Sequence, residues 1–338
     1  MLSYDLRTNK MWGNKMPRML DFIVDDPVAW KSKTMLPNDG LVAIDKECQA
    51  ELDAALKIIQ DNPMPIIALD PDDFELPACR QMMDGIKETL NNGIGFAILD
   101  ALPVDRLKEE ESKALYWVLL SMLGNTVAQK WDGLLIYDVT DTGKKSGPGK
   151  GVRGSKTNQG QTYHTDNSYN LPPNYVSLLC LETAKEGGLS GLISFYTVHN
   201  IMLEEYSELL PRLYEPFWYE RHREHAPNDD LVSRKPMFEY DGKTLGVSLG
   251  LSRINDGYKL MNETLDIETA TALDTLDKVL ERPGLGKTFT FSPGQIQIVN
   301  NRKLGHRRTA FIDWDESSRK RHLARIWIRN EGKRFYMG

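Results

Sequence analysis

Hydrophobic and polar residues are spaced differently in the two parts of the chain. Before about residue 125 the apolar positions recur every three or four residues, a spacing typical of amphipathic helices. The pattern predicts helices over residues 47–60, 79–90 and 107–123 and one apolar strand over 93–99. This part of the chain is therefore interpreted as a helical scaffold.

From residue 134 onward the pattern changes to short apolar runs separated by Gly, Pro and Asn. The predicted strands are 134–139, 163–166, 175–181, 192–196, 244–251, 287–291, 295–299, 309–312 and 322–329, and helices over 198–213 and 267–280 interrupt them. Many short strands with turn signals favour a sandwich or jelly roll. We predict a mainly β protein with flanking helices (α+β).

No stretch is rich enough in Gly, Pro or Ser to mark a boundary between domains. We therefore expect one catalytic domain over 1–338, with an N-terminal helical scaffold over 1–125 and a β core with helical insertions over 126–338. The 338 residues are 41% hydrophobic and 27% charged, which is typical of a globular protein. This composition argues against collagen-like and disordered chains.

Charge and apolar run length exclude two further classes. The net charge of −6 offers no basic field for general nucleic-acid binding. The longest near-apolar run, 114–123, is too short to span a membrane, and Asp5, Arg7 and Lys10 do not form a secretory signal pattern. We expect a cytoplasmic protein with no membrane partner. Three widely spaced cysteines suggest buried thiols and no disulfide framework.

A basic, glycine-rich segment occupies residues 143–157, and no acidic residue lies between Asp141 and Asp166. It is either a solvated surface loop or a lid that orders over an anionic ligand. Within it, residues 149–157 read GKGVRGSKT, but Ser155 separates the second glycine of a P-loop pattern from its lysine. No apolar strand precedes the segment, so we reject a phosphate-binding P-loop.

Two His-x-acid pairs, His164/Asp166 and His222/Glu224, are candidate metal ligands. A non-haem iron(II) site takes two imidazoles and one carboxylate, and residues i and i+2 of a strand project from one side. So short a pattern also arises by chance, and its context decides. His222/Glu224 lies in a highly charged stretch and is predicted to be a solvated face. His164/Asp166 precedes an apolar strand that offers a rigid platform.

Four pieces of the sequence, in order, resemble one known family. They are Tyr163-His164-Thr165-Asp166, Gly187-Gly188-Leu189-Ser190, Pro293-Gly294-Gln295 through Asn300-Asn301-Arg302 to His306, and the strand Arg321–Trp327. The chain resembles the taurine dioxygenase/TfdA-like iron(II)- and 2-oxoglutarate-dependent oxygenases, most clearly from residue 160 onward. The resemblance implies a double-stranded β-helix core of the jelly-roll, cupin-like type.

The resemblance also implies the parts of the site. His164, Asp166 and His306 would ligate Fe(II), while 2-oxoglutarate chelates the metal and O2 takes the remaining position. Arg321 would bind the distal carboxylate of 2-oxoglutarate, with Ser190 adding a hydroxyl donor. The expected reaction decarboxylates 2-oxoglutarate to succinate and CO2 and hydroxylates an unactivated C–H bond of a small molecule. The oligomeric state is left open, a homo-oligomer included.

Residues of the substrate pocket are less firmly indicated. Strand alternation places Arg321, Arg325 and Trp327 on one inward face. In some relatives the second arginine contacts an acidic group of the substrate, so Arg325 is a substrate candidate, with a structural ion pair as the alternative. Arg153 of the basic segment and Tyr163 complete the candidate set.

These residues suggest a small anionic or zwitterionic substrate. The aromatic residues Trp131, Tyr137 and Tyr163 could equally line a pocket for a quaternary ammonium group. This chain has Gly-Gly-Leu-Ser where close taurine dioxygenase relatives have Gly-Gly-Asp-Thr, and its turn over 313–318 is longer than theirs, so we do not expect taurine to be the substrate. The carboxylate of Asp166 disfavours halogenation, which needs that coordination position for a halide.

Three alternatives stay open from the sequence. The same iron chemistry can give desaturation or ring closure, because all three reactions begin with hydrogen abstraction. A non-catalytic β-barrel that binds a small molecule would need neither the metal ligands nor Arg321. A zinc hydrolase could use the same three ligands but would have no use for an arginine opposite the metal.

Overall fold

Helices form where an apolar stripe follows a capping residue. The computed structural model describes residues 18–144 and 152–336. Asp45 and Asp266 each accept a hydrogen bond from the backbone N–H three residues later, at 2.8 and 2.7 Å, and start two of the helices. The helices are α1 (Lys46–Asp61), α2 (Pro77–Asn92), α3 (Glu109–Ser121), α4 (Phe195–Glu205), α5 (Leu210–Leu213), α6 (Leu251–Leu260) and α7 (Ile267–Leu280).

The helix predictions agree with these elements in most places. α1 and α2 cover the first two predicted N-terminal helices, α3 lies within the third, and α7 has the predicted bounds. The predicted helix 198–213 is divided into α4 and α5, and α6 was not predicted; only its first residue, Leu251, falls in the predicted strand 244–251. None of the helices in the described part of the chain is long and apolar enough to cross a membrane.

The strands are short, as the turn-rich sequence predicts. They are β1 (Leu41–Ala43), β2 (Phe96–Asp100), β3 (Asn125–Val127), β4 (Ile136–Thr140), β5 (Gln161–His164), β6 (Tyr175–Glu182), β7 (Glu186–Gly187), β8 (Ser190–Ser194), β9 (Pro216–Glu220), β10 (Val232–Pro236), β11 (Phe238–Tyr240), β12 (Leu245–Val247), β13 (Lys287–Phe289), β14 (Ile296–Asn300), β15 (Leu304–Arg308), β16 (Phe311–Ile312) and β17 (His322–Arg329).

Two sheets carry the site. The larger one has the order β1-β2-β14-β6-β17-β3, with β4 also paired to β17, and the smaller one has the order β13-β8-β15-β5. The hydroxyl of Ser190 in β8 donates to the side-chain oxygen of Gln297 in β14 at 2.7 Å and links the two sheets. Helices α1–α3 pack apolar side chains on the larger sheet, and α4, α5 and α7 pack on the smaller sheet. The inward faces of the sheets carry polar groups such as Ser190 and Gln297 beside an apolar cluster that includes Tyr137, Cys180 and Leu323.

Several strand predictions were wrong in detail. The strand predicted over 163–166 ends at His164, so Asp166 lies in the following turn and the strand argument for that pair does not hold. The strand predicted over 309–312 is the shorter β16, and β15, which ends just before it, was not predicted because its polar sequence LGHRR hides a buried strand. β9, β10 and β11 were not predicted. β2 pairs with β14, so the β core includes residues before the predicted start at 126.

Some predicted features lie outside the described residues. These are the N-terminal pattern of Asp5, Arg7 and Lys10 and part of the basic segment, including residues 149–151 of the GKGVRGSKT motif. The three cysteines are free and buried, as the sequence predicts.

Asn301, in the turn between β14 and β15, fixes the backbone that follows β5. Its side-chain oxygen accepts from the Asp166 N–H at 2.8 Å, and its amide nitrogen donates to the carbonyls of Asp166 and Pro173 at 3.1 and 3.3 Å. Asn301 is fully buried, so water cannot replace these bonds. One side chain thus attaches the Asp166 turn to the larger sheet.

We expect Asn301→Ala to lower the free energy of unfolding by about 2–4 kcal/mol, because it leaves buried backbone groups of Asp166 without partners. The control is Asn62→Ala, which removes an exposed amide that donates to the Ile58 carbonyl at the end of α1. Urea denaturation of both variants measures the difference. Equal stabilities would show that Asn301 does not anchor the turn.

Candidate active site

Two histidines meet because their strands pair in register. His164 ends β5, and His306 lies in the middle of β15, directly opposite it. Cross-strand partners in an antiparallel pair project from the same face, and the ring centroids are 4.3 Å apart. The residues are 142 positions apart in sequence yet adjacent in the folded chain.

Asp166 completes the group from the turn after β5. Its Oδ1 lies 3.8 Å from Nε2 of His164 and 3.6 Å from Nε2 of His306. The three ligand atoms all lie within 4.8 Å of one another, close enough to touch one ion. The structure therefore brings together the three predicted ligands.

The second oxygen of Asp166 faces the larger sheet. Oδ2 accepts from Nη1 of Arg325 at 2.9 Å and from the indole N–H of Trp327 at 2.8 Å. Both donors lie on β17 at alternate positions, on the inward face that the sequence predicts. Nε of Arg325 also donates to Oε1 of Gln129 at 2.8 Å. The structural ion pair considered for Arg325 is present.

The protonation states suit a cation. Burial, together with the nearby His306, lowers the pKa of His164 to about 4, so its imidazole is neutral near pH 7. Its Nδ1 lies 2.9 Å from the Thr162 carbonyl, which favours a proton there and a lone pair on Nε2. Burial opposes ionisation of Asp166, but the Arg325 guanidinium and His306 hold the pKa of that carboxyl well below its usual range.

Arg321 lies just before β17 and is 5% exposed. Its Nη1 is buried, and no described residue accepts a hydrogen bond from it. A Cβ on Gly188 would lie 3.0 Å from Nε of Arg321, and Gly188 has φ +67°, so glycine both fits the turn and leaves room for the guanidinium. Burial lowers the pKa of Arg321 to about 10, which keeps it charged at neutral pH.

Ser190 lies two residues after Gly188, and its hydroxyl is engaged by Gln297. Directly across from it on β15 is Arg308, which is also buried and whose Nη2 donates to the Thr157 carbonyl at 2.8 Å. Burial and the charge of Arg321 lower the pKa of Arg308 to about 10. The sequence analysis did not single out Arg308, although it follows His306 by two residues and so shares its face.

The other two substrate candidates, Tyr163 and Arg153, lie in different surroundings. Tyr163 is adjacent to His164 in β5 and points to the opposite face, where the Arg307 guanidinium lies 4.4 Å from its ring centroid. It therefore packs in the outer core and not beside the ligands. Arg153 is half-buried and forms a 2.6 Å salt bridge with Glu224, so its charge is paired within the protein.

The interpretation of His222/Glu224 as a solvated face was wrong. Glu224 is 8% exposed and accepts a hydrogen bond from Nε of Arg153. Nδ1 of His222 lies 2.8 Å from Nη1 of Arg253. The charged stretch follows β9, a strand that the sequence analysis missed.

A cavity of about 380 Å³ opens beside Tyr137. Its lining residues are Lys130, Leu134, Ile136, Tyr137, Asp138, Arg153, Lys156 and Glu224. The Tyr137 ring already contacts the cations of Arg153, Lys156 and Arg325, at 5.2, 4.6 and 4.9 Å from its centroid. These contacts argue against a quaternary ammonium pocket on Tyr137, and Trp131 is half exposed.

The comparisons with known proteins agree with this geometry. A profile described as "Taurine catabolism dioxygenase TauD, TfdA family" matches residues 62–327. The FR-33289 synthase of Streptomyces rubellomurinus (strain ATCC 31215) is 30% identical over 295 residues, which cover 86% of this chain and 85% of that protein.

Solved structures share the fold. An asparagine oxygenase in complex with Fe(II), 2S,3S-3-hydroxyasparagine and succinate has a TM-score of 0.64 and 18% identity, covering 86% of this chain and 94% of its own. The non-heme iron oxygenase OrfP in complex with Fe and alpha-ketoglutaric acid has a TM-score of 0.61 and 15% identity, with the same coverage. These likenesses confirm the predicted mainly β, cupin-type core with flanking helices.

Proposed function

The chain belongs to the taurine catabolism dioxygenase TauD, TfdA family, and from that premise we propose that His164, Asp166 and His306 are the metal ligands of an Fe(II)- and 2-oxoglutarate-dependent dioxygenase. Members of this family are enzymes, so family membership argues against a non-catalytic binding protein. It also argues against a zinc hydrolase. The convergence of the three ligand atoms within 4.8 Å carries the assignment of residues.

The donor set fits the metal. Two neutral imidazoles and one ionised carboxylate are the ligands of non-haem iron(II) oxygenases, and they leave coordination positions open for co-substrate and oxygen. Bound Fe(II), with 2-oxoglutarate and O2, supplies the oxidising chemistry that yields succinate and CO2 and hydroxylates a C–H bond. The protein contributes the ligands, the binding of both organic molecules, and their orientation.

Arg321 and Ser190 are proposed to hold 2-oxoglutarate. The buried, unpaired Nη1 of Arg321 is a donor for which the described residues provide no acceptor, and a carboxylate would satisfy it. Ser190 lies on the inward face of β8, and its single O–H, which donates to Gln297 at 2.7 Å, would turn from that partner to donate to the co-substrate. A guanidinium fixed at that place would orient the co-substrate by its distal end.

The substrate is proposed to be a small anionic or zwitterionic molecule. The cavity beside Tyr137 has a volume suited to a small ligand, and Lys156 in its wall forms no salt bridge to a described residue. The Arg325 guanidinium lies 4.9 Å from the centroid of that ring and 2.9 Å from Asp166. Arg153, which is paired with Glu224, is proposed to shape the wall of this cavity.

Hydroxylation is the reaction that the family supports, and desaturation and ring closure stay open as outcomes of the same initial abstraction. A cytoplasmic location and the absence of nucleic-acid binding stay predictions from the sequence, and the oligomeric state stays open.

Removal of a metal ligand is the primary test. We expect His164→Ala and Asp166→Ala to reduce Fe(II)-dependent succinate formation to that of a protein-free blank, because each loses one of three protein ligands. The control His225→Ala removes an imidazole whose Nδ1 lies 2.8 Å from the neighbouring Ala226 carbonyl, and its activity should stay within about twofold of the wild type. Undiminished turnover in either ligand variant would contradict the proposed function.

Arg321→Lys tests the co-substrate site. Lysine keeps the charge but not the planar pair of donors, so we expect the KM for 2-oxoglutarate to rise about 10–100-fold, with a smaller change in kcat. Arg282→Lys alters an exposed arginine paired with Glu205 and should leave that KM unchanged. An unaltered KM in Arg321→Lys would place the distal carboxylate elsewhere.

A screen of small molecules for stimulation of succinate release tests the substrate class. Carboxylates, sulfonates and phosphonates should stimulate, and Lys156→Met should raise the KM of the best stimulant about 2–5-fold through loss of a partly exposed cation. Lys57→Met, on the exposed face of α1, is the matched control. Stimulation by neutral hydrophobic compounds alone would refute an anionic substrate.

A further inference from the structure

Asp166 has two unequal oxygens. Oδ1 faces the imidazoles of His164 and His306, whereas Oδ2 accepts two hydrogen bonds shorter than 3.0 Å from β17. A carboxylate oxygen offers about two lone-pair directions, and two well-placed donors use both of them. Oδ2 is therefore engaged by the protein before any metal arrives, and Oδ1 is the oxygen that remains.

We propose that Trp327, acting with Arg325, is a positioning residue that holds Oδ2 of Asp166 so that the carboxylate binds the metal through Oδ1 alone. The inference rests on the proposed function, since it concerns how the same ligand set receives Fe(II). Its consequence is that the carboxylate takes one coordination position and not two. A second bond through Oδ2 would take a position that 2-oxoglutarate or oxygen requires.

The two donors to Oδ2 differ in charge: the Arg325 guanidinium is a cation and the Trp327 indole is neutral. The Arg325 guanidinium is a cation, so in a chain without metal it also balances the charge of Asp166. The indole N–H is neutral and donor-only, so it does not compensate charge, and its direction is compatible with a cation on the far side of the carboxylate. A neutral donor that is 2% exposed and aimed at a metal-ligand oxygen acts by geometry.

The indole is itself held in place. The Trp327 ring stacks on the Tyr336 ring at a centroid distance of 6.4 Å and an interplanar angle of 20°. The Trp327 backbone pairs with Val127 on one side and Val176 on the other. Residues that orient metal ligands typically change metal affinity 10–100-fold when replaced, provided that their own position is fixed.

Trp327→Phe tests the proposal, because it keeps an aromatic ring on Tyr336 and removes the N–H. Mn(II), counted by the EPR signal of the free ion, is the probe for the full chain. We expect the dissociation constant for Mn(II) to rise about 10–100-fold. The d–d absorption spectrum of bound Co(II) should also change, because Oδ2 then keeps only the hydrogen bond from Arg325 and one of its lone pairs becomes available to the metal.

The matched control is Trp117→Phe. Trp117 is equally buried, and its indole N–H donates to the Leu69 carbonyl at 3.1 Å, outside the larger sheet in α3. It loses one hydrogen bond of the same type without touching a metal ligand, so its Mn(II) affinity and Co(II) spectrum should match the wild type. If Trp327→Phe does not fold by circular dichroism, Trp327→Leu, which also lacks the donor, replaces it.

The outcomes separate the two claims. A wild type that binds Mn(II) beside a Trp327→Phe variant with the same affinity and the same Co(II) spectrum overturns the positioning role alone. A wild type that binds neither metal overturns the proposed function, and the positioning role with it. Equal losses in Trp327→Phe and Trp117→Phe would assign the effect to general destabilisation and also overturn the proposal.

Discussion

The register between β5 and β15 is the constraint on which the site depends. Because side chains alternate along a strand, a slip of one residue would send His306 to the outer face and bring Arg307 inward. A second pairing also fixes the position of β15, because its other edge pairs with β8, where Leu192 lies opposite His306. The same pairing that builds the smaller sheet therefore places two imidazoles beside each other.

Helices on the outer faces free the space between the sheets for chemistry. Ala324, Ile326 and Ile328 of β17 pack outward against α1–α3, while Arg325 and Trp327 point inward. Burial on the outer faces supplies the hydrophobic stabilisation, which offsets the cost of a polar interior. β17 thus serves as a core strand on one face and as a wall of the site on the other.

Arg321, just before β17, and Arg325, in the middle of that strand, both point inward but have different electrostatic surroundings. Arg325 is paired with Asp166, so its charge contributes to holding a ligand in its ionised form. Arg321 forms no salt bridge to a described carboxylate and keeps a buried nitrogen without an acceptor. A buried cation of that kind costs stability unless an anion binds it, and this cost supports the proposal that Arg321 binds the distal carboxylate of 2-oxoglutarate.

The sequence by itself determined several helices, one strand face and the chemical identity of the candidate ligands. Apolar periodicity predicted α1–α3 and α7, and strand alternation predicted the inward face of β17. The resemblance to a known family identified His164, Asp166, His306 and Arg321 as one set. Tertiary structure decided what depends on partners distant in the chain. It showed that Asp166 lies in a turn held by Asn301, that Arg153 is neutralised by Glu224, and that Tyr163 faces the outer core. Charge pairing and burial depend on which residues the fold brings into contact, and no spacing along one segment contains that information.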